Sequence, residues 1–435
     1  MLPCTEYISV TMVQQKFISS QSIITTTLIE AAKKRLQDII IETPLQLNRS
    51  LSEKYDCEVW LKREDLQVVR SYKIRGAYNK ICQLPPTVQA KGIVCASAGN
   101  HAQGVALACA LLKIKGIIFM PRTTPRQKVE KVRDFGGPWI EIKLRGDSFD
   151  DAAAEATKFV NLHQMSFIPP FDDLDIIAGQ GTVGLEILQQ CPQSIDYIFA
   201  GIGGGGLISG LGSYFKILNP KTKIIGVEPS GAAAMQAALQ SGQRVTLSKL
   251  DTFVDGAAVR TVGHLNFKIC QKVVDEISLV PEGKVCTTIL ELYNQEAMVV
   301  EPAGALSIAV LDEYRQTIKG KRIVCVVSGG NNDITRTEEI KERSMLYEGK
   351  KHYFIVRFPQ RAGALREFLV EVLGTKNDIT HFEYIKKNSR EKGPALVGIE
   401  TPSKLAYHDL LLRMQEHQVD FELLNNNPSL FQLLI

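Results

Sequence analysis

The chain has 435 residues, of which 45% are hydrophobic and 23% charged, a composition typical of folded globular proteins and not of disordered or collagen-like ones. Its net charge is only +4, from 51 basic and 47 acidic residues, so it lacks the concentrated basic face of a nucleic-acid binder. No apolar run approaches the roughly 20 residues of a membrane-spanning helix. We therefore expect about two to four domains, with no nucleic acid and no membrane as partner.

The N-terminal segment and the cysteines indicate a cytoplasmic protein. Residues 1–24 lack the basic and apolar regions of a signal peptide and are predicted to form a poorly ordered leader. Nine cysteines leave one unpaired in any complete disulfide scheme, and none forms a CxxC pair. Cys95 and Cys325 lie in β-branched runs, where a buried thiol behaves as a small hydrophobic residue. This usage is typical of a reducing compartment.

Residues 25–345 are predicted to form a two-lobed α/β domain. The first helix is expected near Thr25, with Thr27 and Glu30 at capping-box spacing. From Gly92 to about Asn331, helical stretches separate continuous apolar, β-branched runs. Such strands between helices indicate parallel sheets that are covered on both faces. The predicted strands are CEVWLKRED, GIVCAS, KGIIFMP, WIEIKL, DYIFAGI, KIIGVEP and RIVCVVS.

Residues 346–435 are predicted to form a second, smaller domain. After the charge-rich helix between Thr335 and Lys351, the pattern changes to strand, helix, two strands, helix and strand. This βαββαβ order is that of a ferredoxin-like module.

Three predicted strands end in glycine-rich loops that suit anion binding. They begin at Ser97 (SAGNHAQG), Gly201 (GIGGGG) and Ser328 (SGGNND). Backbone N–H groups at a helix N-terminus bind phosphate or carboxylate, and glycine lets the backbone approach closely. Ordinary turns between strands and helices also favour glycine, but four consecutive glycines are harder to explain in that way because each costs backbone entropy.

The second loop has an alternative interpretation as a dinucleotide site. Gly201 to Gly206 satisfies G-x-G-x-x-G, and Glu228 follows at about the distance of a ribose-binding acid. Taken alone, this loop leaves an NAD-dependent dehydrogenase open.

A lysine motif, Ser71-Tyr72-Lys73-Ile74-Arg75-Gly76-Ala77, favours a different cofactor. S-x-K-x-R-G-A, S-A-G-N-H, G-G-G-G-L and S-G-G-N occur in this order from about residue 25 to 335. Together they resemble the fold-type II pyridoxal phosphate enzymes, and most closely the biosynthetic threonine dehydratases. Further segments that resemble this subgroup are Gln180-Gly-Thr182, Asp255-Gly256 and Glu301-Pro-Ala-Gly304.

The resemblance implies pyridoxal 5′-phosphate as cofactor and assigns roles to particular residues. Lys73 would be the covalent anchor of the cofactor and the general base that removes the substrate Cα proton. Tyr72 would pack against the cofactor ring, Asn100 would bond its 3′ oxygen, and Ser328 would face its pyridine nitrogen. The implied phosphate loop is Gly203, Gly204, Gly205, Gly206 and Leu207, and the implied substrate loop is Ser97, Ala98, Gly99, Asn100 and His101.

Elementary chemistry agrees with these roles. Lys73 must be neutral to attack an aldehyde, which requires desolvation or cationic neighbours such as Arg75. The neutral hydroxyl of Ser328 makes the ring a weaker electron sink than a carboxylate would. This choice favours loss of a β leaving group over transamination.

Two departures separate the chain from related racemases. Ala98 stands where serine racemases carry a second, acid–base serine, so racemisation should be minor. Such relatives also bind a divalent cation through an acidic pair. Here Glu228 matches the first acid, but Ala234 stands in place of the second. We therefore predict no metal site and expect Glu228 to make local hydrogen bonds.

The C-terminal module carries FPQRAGAL, with Arg361 and Gly363, which resembles the ligand loop of ACT-like regulatory domains. The resemblance implies isoleucine as inhibitor, valine as antagonist and a homotetramer. The alternative is a structural module without ligand.

The implied activity is conversion of L-threonine, with L-serine as alternative substrate, to 2-oxobutanoate and ammonia at the start of isoleucine synthesis. The alternatives are a catabolic serine/threonine dehydratase and a non-catalytic amino-acid sensor. An intact Lys73, Asn100, tetraglycine loop and Ser328 argue against the sensor.

Overall fold

The computed structural model describes residues 23–191, 193–384, 391–427 and 431. The chain divides into two compact units, and the boundary along the sequence lies between Ile334 and Thr335. The predicted boundary is at 345. Most of the predicted leader, residues 1–22, lies outside the described residues. Ile24 is fully buried in one core cluster with Ile29 and Ile177. The proposed limits of the domains stay predictions.

The first unit alternates strands and helices along most of its length. Its strands are β1 Leu45–Leu47, β2 Glu58–Arg63, β3 Ile93–Ala96, β4 Gly116–Met120, β5 Ile140–Leu144, β6 Ser166–Phe167, β7 Tyr197–Gly201, β8 Lys223–Pro229, β9 Glu276–Val280 and β10 Arg322–Val327. Its helices are α1 Thr26–Leu36, α2 Arg49–Tyr55, α3 Lys73–Ile81, α4 Pro86–Gln89, α5 Asn100–Leu112, α6 Arg126–Gly136, α7 Phe149–His163, α8 Leu174–Gln190, α9 Gly206–Leu218, α10 Ala234–Ser241, α11 His264–Val273, α12 Glu282–Glu296, α13 Pro302–Ala309 and α14 Leu311–Tyr314.

Two sheets organise this unit. The smaller has the order β5-β4-β3-β6, and its three strand pairs are all parallel. The larger has the order β1-β2-β10-β7-β8-β9, parallel except for β1, which runs antiparallel to β2. The four residues of β3 are all buried, as expected for a strand that helices cover on both faces. The predicted two-lobed parallel architecture is confirmed.

The differences from the predicted elements are local. Strands β1, β6 and β9 were not expected from the sequence, because β1 and β6 have only three and two residues and β9 is only half-buried. Helix α1 is capped by Thr25, whose Oγ1 accepts from the N–H of Leu28. The capping box predicted at Thr27 is wrong, because Thr27 already lies inside the helix.

The second unit has the predicted βαββαβ order after one leading helix. Its elements are α15 Thr337–Glu348, β11 Lys351–Pro359, α16 Ala364–Glu367, β12 Asp378–Tyr384, β13 Lys392–Glu400, α17 Lys404–Glu416 and β14 Phe421–Leu423. The sheet order is β12-β13-β11-β14, with all neighbours antiparallel, which confirms the ferredoxin-like topology. Helix α16 continues as a π-helical turn, Phe368–Leu373. Among the described residues, no helix is both long and apolar enough to cross a membrane.

Candidate active site

Lys73 is the first residue of α3, and backbone contacts hold it beside the end of β10. The N–H of Tyr72 donates to the carbonyl of Ser328 at 3.3 Å, and Ser71 forms an isolated antiparallel bridge with Gly329. Two segments that are far apart in the sequence therefore meet at one point. The structure brings Tyr72, Lys73 and Ser328 together, as the predicted site requires.

The Lys73 amine lies in an apolar and weakly charged setting. Its Nζ donates to the carbonyl of Pro170 at 2.9 Å and lies 5.3 Å from the centre of the Tyr72 ring. Burial lowers the pKa of Lys73 to about 8, although the charge of Glu301 opposes the shift. A lysine with this pKa is neutral often enough to act as a nucleophile or a base.

Arg75 does not have the role suggested from the sequence. Its guanidinium is fully buried and pairs with both oxygens of Glu64 and both of Glu186, at 2.7–2.8 Å. Lys62 completes the cluster by donating to Glu186 at 2.7 Å. Desolvation, and not a cationic neighbour, therefore lowers the pKa of Lys73, because the charge of Arg75 is already compensated.

The predicted substrate loop lies between β3 and α5. The N–H of Gly99 donates to Ser97 Oγ at 3.2 Å, and Asn100 and His101 open α5. A Cβ built on Gly99 would meet no atom within 4 Å, so open space adjoins the loop. Ala98 packs against the apolar core cluster of this lobe.

His101 is buried and bonds the carbonyl of Ile168 through Nε2 at 3.0 Å. Burial lowers its pKa to about 3, with a smaller contribution from the charge of Lys73. His101 is therefore neutral at ordinary pH, and its bond positions the start of α5.

A buried carboxylate that sequence analysis quoted only as part of a motif lies in direct contact with Asn100. Glu301 Oε1 accepts from Asn100 Nδ2 at 2.6 Å, although the two residues are 201 positions apart. Burial raises the pKa of Glu301 to about 7, and the nearby charge of Asp255 adds to the shift. No local sequence signal indicated this contact, because it depends on how the ends of two separate segments meet.

The tetraglycine loop runs from the end of β7 into α9. Gly205 has φ +97°, which a residue with a side chain rarely adopts. A Cβ on Gly204 would overlap the ring of Phe171, and one on Gly203 would lie 3.0 Å from the Cα of Ala257. Phe171 directly follows Pro170, the partner of Lys73, so this loop and the lysine share one neighbouring segment. The glycines are thus required by packing, and they leave backbone N–H groups at the start of a 13-residue helix.

Glu228 does not suit the dinucleotide interpretation. Its two carboxylate oxygens accept from the N–H groups of Met235 and Gln236, each at 2.8 Å, and the side chain is fully buried. Both oxygens are therefore committed to the N-terminus of α10, so a ribose could not bind there. The expectation of local hydrogen bonds is met. Among the described residues, no group of three His, Cys, Asp or Glu side chains could hold a metal ion.

Other motif residues lie around the site and not within its centre. Thr182 accepts from Arg75 at 3.0 Å, and Gln180 packs close to Gly76, so both join α8 to α3. Asp255 forms an ion pair with Lys128 at 2.5 Å.

Arg361 and Gly363 lie in the second unit, between β11 and α16. Gly363 has φ +88° and precedes α16 directly. Arg361 is exposed and forms two hydrogen bonds with Glu367, at 2.6 and 2.9 Å. A cavity of about 190 Å³ beside Arg361 is lined by residues that include Arg357, Lys392 and Asp420.

The residues around Lys73 fit pyridoxal phosphate in their chemistry. An amine with a lowered pKa suits its aldehyde, the glycine-rich start of α9 suits its phosphate, and the hydroxyl of Ser328, which is nearly buried, suits its pyridine nitrogen. The assignment of each residue to a role stays a prediction.

Comparison with known proteins agrees with this chemistry. Residues 36–329 match the family model of pyridoxal-phosphate dependent enzymes, and residues 342–434 match that of the C-terminal regulatory domain of threonine dehydratase. The chain is 56% identical over 404 residues to an L-threonine dehydratase biosynthetic IlvA of Halalkalibacterium halodurans, covering 93% of this chain and 97% of that protein. It is also 56% identical over 418 residues to the protein of that name in Bacillus subtilis, covering 96% and 99%.

Solved structures give the same result over nearly three quarters of the chain. The processed form of threonine deaminase isoform 2 from Solanum lycopersicum is 40% identical, with a TM-score of 0.70, covering 74% of this chain and 94% of that one. Serine racemase from Dictyostelium discoideum is 32% identical, with a TM-score of 0.65, covering 72% and 99%. The chain therefore belongs to the pyridoxal-phosphate dependent enzymes and, within them, to the threonine dehydratases that carry a C-terminal regulatory domain.

Proposed function

We propose that this protein is a threonine ammonia-lyase that converts L-threonine to 2-oxobutanoate and ammonia, the first step of isoleucine synthesis. The main support for the proposal is the state of Lys73. This lysine lies where the Ser328 and Ser97 loops meet, and its pKa is lowered to about 8. The identity to biosynthetic L-threonine dehydratases over nearly the whole chain supports the substrate.

The chemistry divides between the cofactor and the chain. When bound, pyridoxal phosphate supplies an aldehyde for Lys73 and a ring that withdraws electrons from the substrate Cα. Lys73 would hold the cofactor covalently through its amine and, when that amine is free, would take the Cα proton as general base. Its lowered pKa leaves roughly a tenth of the amine neutral even at pH 7, so both tasks are accessible.

The remaining site residues bind and orient. The N–H groups between Ser97 and His101 would receive the substrate carboxylate, and Tyr72 would offer an aromatic face to the cofactor ring. Ser328 would offer the ring nitrogen a neutral hydroxyl, which favours elimination over transamination. Ala98 has no hydroxyl that could return a proton to the opposite face of Cα, so racemisation is minor.

The second unit is the regulatory part of this proposal. Isoleucine binds as inhibitor and valine as antagonist next to Arg361 and Gly363. The match to the regulatory domain of threonine dehydratase supports a regulatory role for this unit. A regulated enzyme serves biosynthesis, whereas a catabolic dehydratase needs no end-product inhibition. L-serine is the alternative substrate.

The proposal includes a cytoplasmic homotetramer. The buried Cys95, Cys109 and Cys325 are free thiols, which suits a reducing compartment. Light scattering of the purified protein tests the tetramer, and a monomeric mass at working concentration would contradict it.

The decisive experiment compares two lysines of the same helix. We expect purified protein to show a visible cofactor band that borohydride removes, and to release 2-oxobutanoate from L-threonine. The Lys73→Ala variant should lose both. Lys80→Ala is the matched control, because Lys80 lies on α3 but pairs with Asp173 and Asp175 at 2.9 Å. Loss of activity in both variants, or a colourless wild-type protein after addition of pyridoxal phosphate, would contradict the proposal.

A further inference from the structure

Glu301 is a buried acid without a cationic partner. It is only 5% exposed, it precedes α13 directly, and among the described residues it forms no ion pair within 4.0 Å. Burying an uncompensated carboxylate is costly, so its position calls for a reason beyond packing. Its Oε1 accepts a hydrogen bond from Asn100 Nδ2.

The oxygen of the Asn100 amide also has a hydrogen-bond partner. Asn331 Nδ2 donates to Asn100 Oδ1 at 2.7 Å and to the carbonyl of Val69 at 2.8 Å. A backbone carbonyl can only accept, so Val69 determines which end of Asn331 is the nitrogen. Asn331 in turn determines which end of Asn100 is the oxygen.

The two contacts therefore hold the Asn100 amide in one orientation. Above its pKa of about 7, Glu301 is ionised. An ionised carboxylate accepts but cannot donate, so it also disfavours the flipped amide, in which Oδ1 would face the carboxylate. Asn100 Nδ2 carries two hydrogens, and Glu301 takes one. The second has no acceptor among the described residues, and open space adjoins the loop at Gly99.

We propose that Glu301, together with Asn331, is a positioning residue that keeps one N–H of Asn100 available to the ring oxygen of the bound cofactor. This inference rests on the proposed function, since it concerns the same cofactor. Glu301 acts through Asn100 and not by its own contact with cofactor or substrate. The carboxylate is required because a glutamine could donate to Asn100 Oδ1 and so tolerate the flipped amide.

The test is a double-mutant cycle on cofactor binding, which isolates coupling between two residues. Apoprotein is titrated with pyridoxal phosphate at about pH 9, one unit above the pKa of Lys73, so that changes in the charge of Lys73 contribute little. Four proteins are compared: wild type, Glu301→Gln, Asn100→Ala and the double variant. The readouts are the apparent Kd and the position of the visible band.

We expect Asn100→Ala to weaken binding by about 10- to 100-fold and Glu301→Gln by about tenfold, the scale of one charge-assisted hydrogen bond. The double variant should bind no more than about threefold more weakly than Asn100→Ala alone, because the shared interaction can be lost only once. Independent, multiplied losses would overturn the inference, and so would a Glu301→Gln protein with unchanged Kd and band.

Glu296→Gln is the matched control. Glu296 accepts from Asn48 Nδ2 at 3.0 Å, the same Glu–Asn contact at the end of α12 and not at the cofactor. It should leave Kd and band unchanged. An equal loss there would show that such contacts act through general stability, and would overturn the inference.

A second variant guards against misfolding. If Glu301→Gln does not fold, Asn331→Ala removes the other half of the clamp and should show the same non-additivity with Asn100→Ala. Failure of the proposed function is distinguishable, because wild-type protein would then bind no pyridoxal phosphate and form no ketoacid.

Discussion

Helix α3 carries two cationic residues, Lys73 and Arg75, whose surroundings are opposite. The two residues are two positions apart in the helix, so their side chains leave the axis in directions that differ by about 200°. Arg75 faces Glu64 and Glu186 and is bonded bidentately by both. Lys73 faces the carbonyl of Pro170, with Glu301 near enough to influence its pKa.

The pKa values follow from this difference. Burial alone would raise the pKa of Glu186, but the charge and hydrogen bonds of Arg75, with smaller contributions from Lys62 and Lys33, outweigh it and hold the pKa well below its usual value. Around Lys73 and Glu301 burial dominates, and the pKa of Lys73 falls to about 8 while that of Glu301 rises to about 7. The cluster of Arg75 with Glu64 and Glu186 stays charged and holds the helix in place. Lys73 and Glu301, whose charges are poorly compensated, have pKa values near neutral pH and can therefore change protonation state there.

The largest expected effect comes from breaking the compensated cluster. Glu186→Ala should lower the free energy of unfolding by about 3–5 kcal/mol, because it leaves Arg75 and Lys62 buried without their shared carboxylate. Urea denaturation measures the loss. Glu155→Ala, which breaks an exposed pair with Lys158, should leave the transition unchanged. Equal losses in the two variants would show that the cluster is not a special source of stability.

The next effect concerns the reactivity of Lys73. The rate at which apoprotein takes up pyridoxal phosphate should rise with pH, with a midpoint near pH 8 and a plateau about one unit higher, because only the neutral amine attacks. Glu301 holds the pKa of Lys73 up, so Glu301→Gln should move the midpoint to lower pH. Stopped-flow absorbance across a pH series measures it. A midpoint near that of an ordinary lysine, or a shift to higher pH, would contradict this account.

A smaller effect should follow from Lys128, whose charge lowers the pKa of Glu301 while its partner Asp255 raises it. Lys128→Met removes the favourable charge and leaves Asp255 without this ion pair, so the pKa of Glu301 should rise above about 7. The carboxyl stretch of Glu301 in an infrared pH titration, assigned by subtraction of the Glu301→Gln spectrum, measures the change. Because Lys128 and Asp255 are partly exposed, added salt should reduce the difference.

The smallest effect on stability is expected in the second unit. Arg361 and Glu367 form an exposed pair, and such pairs contribute little, so Arg361→Ala should leave the melting temperature unchanged. If isoleucine binds at this loop, the same variant should weaken isoleucine inhibition while kcat without effector is preserved. Arg343→Ala, which breaks an exposed pair with Glu339 on α15, is the control. Unaltered inhibition in Arg361→Ala would remove Arg361 from the proposed effector site.

Local patterns were sufficient for much of the fold. Strands β3, β4, β7, β8 and β10 are continuous apolar runs because both faces of their sheets are covered, and the second unit alternates in the order that its topology requires. Strands β1 and β6 escaped prediction because two or three residues carry no measurable periodicity. Glu228 satisfied the spacing of a dinucleotide site, but spacing does not reveal that its carboxylate caps α10.

The sequence by itself determined the class of chemistry, because Lys73, the three glycine loops and Ser328 are each recognisable from their immediate neighbours. The tertiary structure alone decided which charges are compensated. Glu186 meets Arg75 from 111 positions away, and Glu301 meets Asn100 from 201. The electrostatic energy of a group depends on distance and burial in space, and neither can be calculated from spacing along the chain.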